Sequence, residues 1–212
     1  MKKIIYFLLF LAMASCGNKQ EEHHCAEQEE FHCAEPITSI TIQPYEDVSR
    51  NMVSAMAEKL KQEIESQTEV IIVDIEILPN KELSKSLLNK TKTRYRAERI
   101  LDKQLSQLKH NSENVIIGVT NQDISTTLRG KEDWGIQGLA YMGKDVCVIS
   151  TYRLKNKKDL WKVAFHEFFH AAFNYPHCPF DNPTCIMQDC HGVGNWRNKN
   201  SVCKQCYISK KH

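Results

Sequence analysis

The sequence has almost no excess charge of either sign, because its 212 residues include 28 lysines and arginines against 26 aspartates and glutamates. It also lacks any block in which basic residues are interleaved with aromatic ones, the composition typical of a surface that binds nucleic acid. These two absences argue against nucleic acid as a partner. The length suits a single domain with its own hydrophobic core, and we expect a monomer.

An apolar run long enough to span a membrane as a mature helix is also missing. The run at residues 4–12 is too short, and it follows two lysines and precedes small residues and Cys16, as in an export signal. Residues 13–16 resemble a bacterial lipobox, in which the signal is cleaved before a cysteine that carries lipid. We therefore predict a signal peptide at residues 1–15, lipidation of Cys16 and a lipid-anchored protein of the bacterial cell envelope, periplasmic or on the outer surface. The alternative is a plain secretory signal with an incidental cysteine.

Residues 16–36 contain almost no apolar side chain that could join a core, so we predict a mobile polar tether. A near repeat within it places His-Cys-Ala-Glu at residues 24–27 and again at residues 32–35. The two cysteines could form a disulfide, remain free thiols or hold a metal loosely. A lipoprotein that scavenges zinc through this tether is therefore one hypothesis for the function.

The residues that carry chemistry are concentrated around His166 and His170, which stand four apart and so share one face of a helix, as two ligands of one metal ion must. Glu167 follows the first histidine, where its carboxylate can take a proton from water without binding the ion. His177 lies just after a helix-ending segment and could supply a third imidazole. Such a motif also arises by chance with solvated histidines, but the third histidine and the nearby cysteines and methionine favour a zinc site.

This run resembles the archaemetzincins, zinc-dependent peptidases with the pattern HExxHxxGxxHC, then CxM and later CxxC. The matching residues are His166, Glu167, His170, His177, Cys178, Cys185, Met187, Cys203 and Cys206. The resemblance implies a zincin-like α/β fold over residues 37–212, with a mixed sheet, an active-site helix and a Cys-rich zinc-binding C-terminal segment. It also implies a catalytic zinc on the three histidines, Glu167 as general base and Met187 as an apolar floor below the ion.

The chain departs from this pattern in having one extra residue between the second and third histidines and no glycine between them. Asparagine accepts the left-handed conformation that the glycine provides, whereas Ala172 and Phe173 resist it. We therefore predict that the helix runs one residue longer and turns at Asn174. The interval from Asn174 to His177 then restores the spacing of the family.

Nine cysteines are many for one domain, and in an exported protein cysteines usually form disulfides. Cys178, Cys185, Cys203 and Cys206 form two pairs, which could be two disulfides or four ligands of one structural zinc. A disulfide across CxxC closes a small strained ring, and the resemblance implies a second zinc. We therefore favour a structural zinc site made of these four cysteines, hence two zinc ions per chain, with Cys190 left over.

The remaining pattern predicts an α/β fold with the element order β, α, β, α, β, β, β, α. Strands are expected at residues 37–43, 69–78, 114–120, 135–142 and 145–151, and helices after a cap at Asp47, at residues 95–108 and from about Lys157 to Asn174. The predicted function is hydrolysis of a peptide or protein substrate that pairs with the strand near residues 139–142. The alternative is a catalytically inactive zinc-holding lipoprotein or binding module.

Overall fold

The structure is a computed structural model that describes residues 37–108, 113–189 and 195–209. The predicted signal peptide at residues 1–15, the tether at residues 16–36 with Cys16, and Cys190 lie outside the described residues. Within the described ranges, no helix has both the length and the apolar character needed to span a bilayer.

Strands and helices alternate along the described chain as the predicted mixed α/β fold requires, and the predicted fold class is confirmed. In chain order the elements are β1 (Ser39–Pro44), α1 (Arg50–Gln67), β2 (Asp74–Ile77), β3 (Tyr95–Arg96), α2 (Ala97–Lys103), β4 (Asn114–Thr120), β5 (Ile124–Leu128), β6 (Lys131–Ile136), β7 (Gly138–Tyr141), β8 (Val146–Ser150), α3 (Leu160–Phe173) and α4 (Lys204–Ser209).

The main sheet has five strands in the order β2–β1–β4–β8–β7. The first four are parallel, and β7 runs antiparallel to β8 at the edge. Alternate residues of β4 enter different cores, with Ile117 and Val119 on the side of α1 and α3 and Ile116 on the side of α2. The sheet is therefore covered on both faces, which explains why every residue of β4 is buried.

A second, smaller sheet in the order β3–β5–β6 was not predicted. The predicted strand at residues 135–142 is wrong as one element, because β6 ends at Ile136 in this small sheet and β7 begins at Gly138 in the main one. The strands β5 and β6 form a hairpin whose tip contains Arg129 and Gly130, both with positive φ (50° and 75°). Residues of this hairpin and of α3 line the same cavity.

Three further predicted boundaries are wrong. The helix predicted at residues 95–108 is interrupted at both ends, because Tyr95 and Arg96 pair with β5 as strand β3 and a 3-10 turn follows α2. The strand predicted at residues 69–78 is only four residues long, since Ile71 and Val73 are 70% and 75% exposed and join no ladder. The helix α1 is capped at Ser49 rather than Asp47, without a side-chain bond.

The turn between β7 and β8 fixes the end of α3 against the sheet. The Gly143 N–H donates to the His170 carbonyl oxygen at 3.0 Å, and the Asp145 N–H donates to the Ala171 carbonyl oxygen at 3.2 Å. Carbonyls in the last turn of a helix have no partner within the helix, so this β-turn satisfies them. The histidine-bearing helix is thereby held in register with the edge strand.

Candidate active site

The structure brings the three predicted histidines together. His166 and His170 lie on the buried face of α3 with their Nε2 atoms 3.0 Å apart. With His177 added, one nitrogen from each ring lies within 4.8 Å of the other two. In a tetrahedral zinc site with Zn–N distances of 2.0–2.1 Å, two ligand nitrogens are about 3.3 Å apart. The spacing of these nitrogens fits one zinc ion.

Hydrogen bonds to main-chain carbonyls fix the orientation of the two helix histidines. The Nδ1 of His166 bonds to the Ile186 carbonyl oxygen at 2.8 Å, and the Nδ1 of His170 bonds to the Tyr175 carbonyl oxygen. A carbonyl only accepts, so each Nδ1 donates and each neutral ring presents an Nε2 lone pair to the other. Burial lowers the pKa of both imidazoles, that of His170 to about 4. Neutral rings with facing lone pairs are suited to a cation between them.

The turn after α3 sets the position of the third histidine. Asn174 has φ 50° and ψ 31°, the left-handed conformation, and its backbone N–H donates to the Phe169 carbonyl oxygen. The helix runs to Phe173, and the chain reverses at Asn174, the residue predicted for this turn. The same turn carries the Tyr175 carbonyl that orients His170, so one reversal positions two of the three imidazoles.

Glu167 is 8% exposed and lies against the backbone of the edge strand β7. A Cβ atom added to Gly138 would stand only 2.5 Å from Glu167 Oε1, so the missing side chain makes room for this carboxylate. Burial, followed by the nearby charge of Asp189, raises the pKa of Glu167 to about 8. A bound dication would instead lower the pKa of this carboxyl group. Gly138 was not identified from the sequence, where the one signal was a glycine within a predicted strand.

A cavity of about 470 Å³ opens beside these residues. His166, Glu167 and His177 line it together with residues of the β5–β6 hairpin. Trp196 completes the wall, with its Nε1 donating to Gln137 Oε1 at 2.8 Å. Neither Trp196 nor the hairpin was assigned to the site from the sequence, because neither belongs to a local motif.

The four predicted cysteine ligands also come together. The sulfurs of Cys178, Cys185, Cys203 and Cys206 all lie within 4.8 Å of one another, and Cys178 Sγ and Cys203 Sγ are 3.8 Å apart. With Zn–S distances near 2.3 Å, a tetrahedral site places two sulfurs about 3.8 Å apart. Burial raises the pKa of the Cys185 and Cys206 thiols, whereas at Cys203 burial is outweighed by hydrogen bonds from the neighbouring cysteines, which lower its pKa. A cation would be needed to hold Cys185 and Cys206 as thiolates. The donor set and spacing fit a closed zinc site.

The cysteine cluster is joined to the histidine site through a short turn that contains Met187. Met187 is fully buried, and its carbonyl accepts from the Cys178 N–H at 2.8 Å. The residue before it, Ile186, supplies the carbonyl that orients His166. On the other side, the Tyr175 hydroxyl donates to the Cys206 carbonyl oxygen at 2.7 Å. The cluster therefore anchors both segments whose carbonyls orient the helix histidines.

Among the comparisons with known proteins, the comparison of structures is the one that found matches. No protein-family model matches the sequence, and no curated protein matches it. A crystal structure of an archaemetzincin from Methanopyrus kandleri superposes with a TM-score of 0.67 at 18% identity and covers 82% of this chain and 94% of that one. A crystal structure of an archaemetzincin from Archaeoglobus fulgidus, complexed with malonate, superposes with a TM-score of 0.63 at 26% identity and covers 82% and 99%.

Proposed function

We propose, from the premise that the chain has the archaemetzincin fold, that it is a zinc-dependent peptidase. The zinc would be held by His166, His170 and His177, with Glu167 as the general base. The observation that carries the proposal is the pairing of a three-imidazole cluster with a buried carboxylate at the mouth of one cavity. A site that only stores metal has no need of a carboxylate in that position or of a cavity beside it.

The bound zinc would polarise the scissile carbonyl and make a neighbouring water more acidic. Glu167 would accept the proton of the attacking water and deliver it to the amine of the leaving product. Its buried setting against Gly138 keeps the carboxylate in one place, which favours a proton transfer that depends on position. Met187 would form the apolar floor of the site.

The edge strand β7 offers a way to orient the peptide. It pairs with β8 on one side, and its first residues, Gly138 and Leu139, line the cavity on the other. An extended peptide could add to this edge through main-chain hydrogen bonds, as peptides do on other exposed sheet edges. The scissile bond would then lie between the strand and α3.

The four cysteines would hold a second, structural zinc. Its role would be to fix the turn at Ile186 and Met187, and with it the carbonyl that orients His166. Because an ion held by four thiolates contributes its binding free energy to folding, loss of this ion would disturb the histidine site without touching a histidine.

We also propose that Cys16 carries lipid and holds the protein at the membrane of a bacterial cell envelope. The support is the sequence alone, in which a short apolar run and small residues precede this cysteine. The peptidase domain would then act at the envelope, on peptide or protein substrates.

The experiment that tests the proposed activity is digestion of an unbiased peptide library by the full-length, zinc-loaded protein. The wild type should cleave peptides, a chelator should stop cleavage and zinc should restore it. The Glu167→Gln variant should keep its zinc and lose at least about a hundredfold in rate, the typical contribution of a general base. Zinc binding without any cleavage by the wild type would instead favour the inactive zinc-holding protein.

A further inference from the structure

The β5–β6 hairpin presents an apolar face to the cavity. In antiparallel strands alternate residues point to the same side, and Thr126, Leu128, Trp134 and Ile136 all line the cavity, with Thr126 directly opposite Trp134 in the ladder. Leu128 is 42% exposed, high for a leucine. Because Leu128 lies in the cavity wall, a ligand bound there would cover it.

Two cations stand at the tip of this hairpin. Arg129 and Lys131 are both exposed and both line the cavity. Lys131 lies with its Nζ 5.3 Å from the centre of the Trp134 ring, a contact that directs the ammonium towards the apolar wall. Asp189 lines the same cavity but lies near the histidines, since its charge acts on Glu167. The cavity therefore has a positive rim on the hairpin side.

These cations differ from four other basic residues around the small sheet, each of which has a carboxylate partner. The pairs are Arg94–Asp123 at 2.7 Å, Arg153–Asp123 at 2.7 Å, Arg96–Asp133 at 2.9 Å and Lys90–Glu132 at 3.4 Å. Within the part of the chain that the structure describes, no carboxylate lies within 4.0 Å of the charged groups of Arg129 or Lys131. Two unpaired cations on the rim of an apolar cavity are complementary to a ligand that has an apolar body and an anionic end.

We infer that this cavity selects substrates with a carboxylate close to the scissile bond, supplied by an acidic side chain or by the C-terminus of the peptide. The inference rests on the proposed peptidase function. A sphere of this volume is about 10 Å across, a length that about three extended residues span. The carboxylate therefore lies within about three residues of the cleaved bond, with apolar peptide surface against Leu128 and Trp134.

Four peptides and three variants test this inference. The peptides share one sequence, which is the cleaved sequence if the library gives one and an alanine-rich hexapeptide if it does not. They differ only in a glutamate or glutamine at one position and in a C-terminal acid or amide, which separates the two sources of the carboxylate. The variants are Arg129→Gln, Lys131→Gln and the double substitution. Lys155→Gln is the matched control, since it removes one exposed positive charge outside the cavity lining.

For the full-length wild type, kcat/KM should be about tenfold higher for the best carboxylate peptide than for its neutral counterpart. Each of the two partly solvated cations should contribute a factor of about two to five to this ratio. The double variant should lose this preference through KM, whereas Lys155→Gln should keep it. High salt should weaken it, because exposed charges are screened. Cleavage that depends on Glu167 but shows no carboxylate preference, or a preference that survives the double substitution, would overturn the inference.

Binding to the inactive Glu167→Gln protein separates this inference from the proposed activity. Tryptophan fluorescence can report occupancy, because Trp134 and Trp196 both line the cavity. Carboxylate peptides should bind more tightly than neutral ones, and only when Arg129 and Lys131 are present. If carboxylate peptides bind selectively but the wild type cleaves no peptide, the peptidase proposal is wrong and the selectivity for an anionic ligand is retained. Equal binding of all four peptides would refute the selectivity.

Discussion

Gly138→Ala is the substitution that tests the position of Glu167 most sharply. The new Cβ would stand 2.5 Å from Glu167 Oε1, 2.6 Å from its Cγ and 2.7 Å from its Cδ. Ordinary contact begins near 3.4 Å, so the carboxylate has to move by about 0.9 Å. The three nearest atoms all belong to the Glu167 side chain, which can shift while the backbone stays in place.

The expected result is a large loss of activity with little loss of stability. A misplacement of about 1 Å can cost on the order of a hundredfold in rate when the reaction depends on a positioned group. We therefore expect kcat/KM for the best library peptide to fall about a hundredfold. Zinc content should stay at the wild-type value, because the substitution touches no histidine.

Gly118→Ala is the matched control, measured by the same peptide assay, zinc analysis and thermal unfolding. Gly118 lies in β4, which β8 separates from β7 in the same sheet, and a Cβ there would meet Leu105 Cδ1 at 3.0 Å, on the face away from α3. This substitution should lower the free energy of unfolding by about 1 kcal/mol, and hence the unfolding temperature by a few degrees. It should leave activity unchanged. If Gly138→Ala retained a third or more of the wild-type kcat/KM, the carboxylate would not act from the position described.

Three other predictions concern the turn, the cysteines and the anchor. Asn174→Gly should bind zinc like the wild type, whereas Asn174→Val should bind it more weakly, because a β-branched residue at φ 50° is strongly disfavoured; full zinc occupancy in the valine variant would contradict this. Cys203→Ser should remove one zinc per chain and several kcal/mol of folding free energy. Cys147→Ser, which changes a buried cysteine outside the four-sulfur group, should keep all its zinc; native mass spectrometry and denaturant unfolding measure both. Cys16→Ala should release the protein from the membrane fraction, and an unchanged distribution on fractionation would count against lipidation.

The local part of the site could be read from the sequence because its determinants are close together in the chain. The interval between His166 and His170 equals one helical turn, so a shared face follows from helix geometry. The reversal at Asn174 follows from the small set of residues that accept a positive φ. The sulfur cluster was indicated by the spacing of Cys203 and Cys206, although their meeting with Cys178 depended on the resemblance.

The cavity could not be read in this way, because its wall is built by contacts between distant segments. The strands on either side of Arg129 and Gly130 show only weak alternation of apolar and polar residues, and they contain few large apolar side chains. Hydrophobic periodicity therefore did not predict the hairpin. The split of one predicted strand at Gln137 is a tertiary effect, in which a continuous extended segment leaves one sheet and joins another. The contact of Gly138 with Glu167 depends on that split.

The claim on which all of this depends is that His166, His170 and His177 hold one zinc ion beside Glu167, and zinc K-edge X-ray absorption tests it most directly. The full-length wild type should contain two zinc ions per chain, with an average shell of two sulfurs near 2.3 Å and two nitrogen or oxygen atoms near 2.0–2.1 Å. The His170→Ala variant should fall to one zinc with a shell of four sulfurs. A wild-type protein with one zinc bound by four sulfurs, or a spectrum that does not change in the variant, would contradict the account.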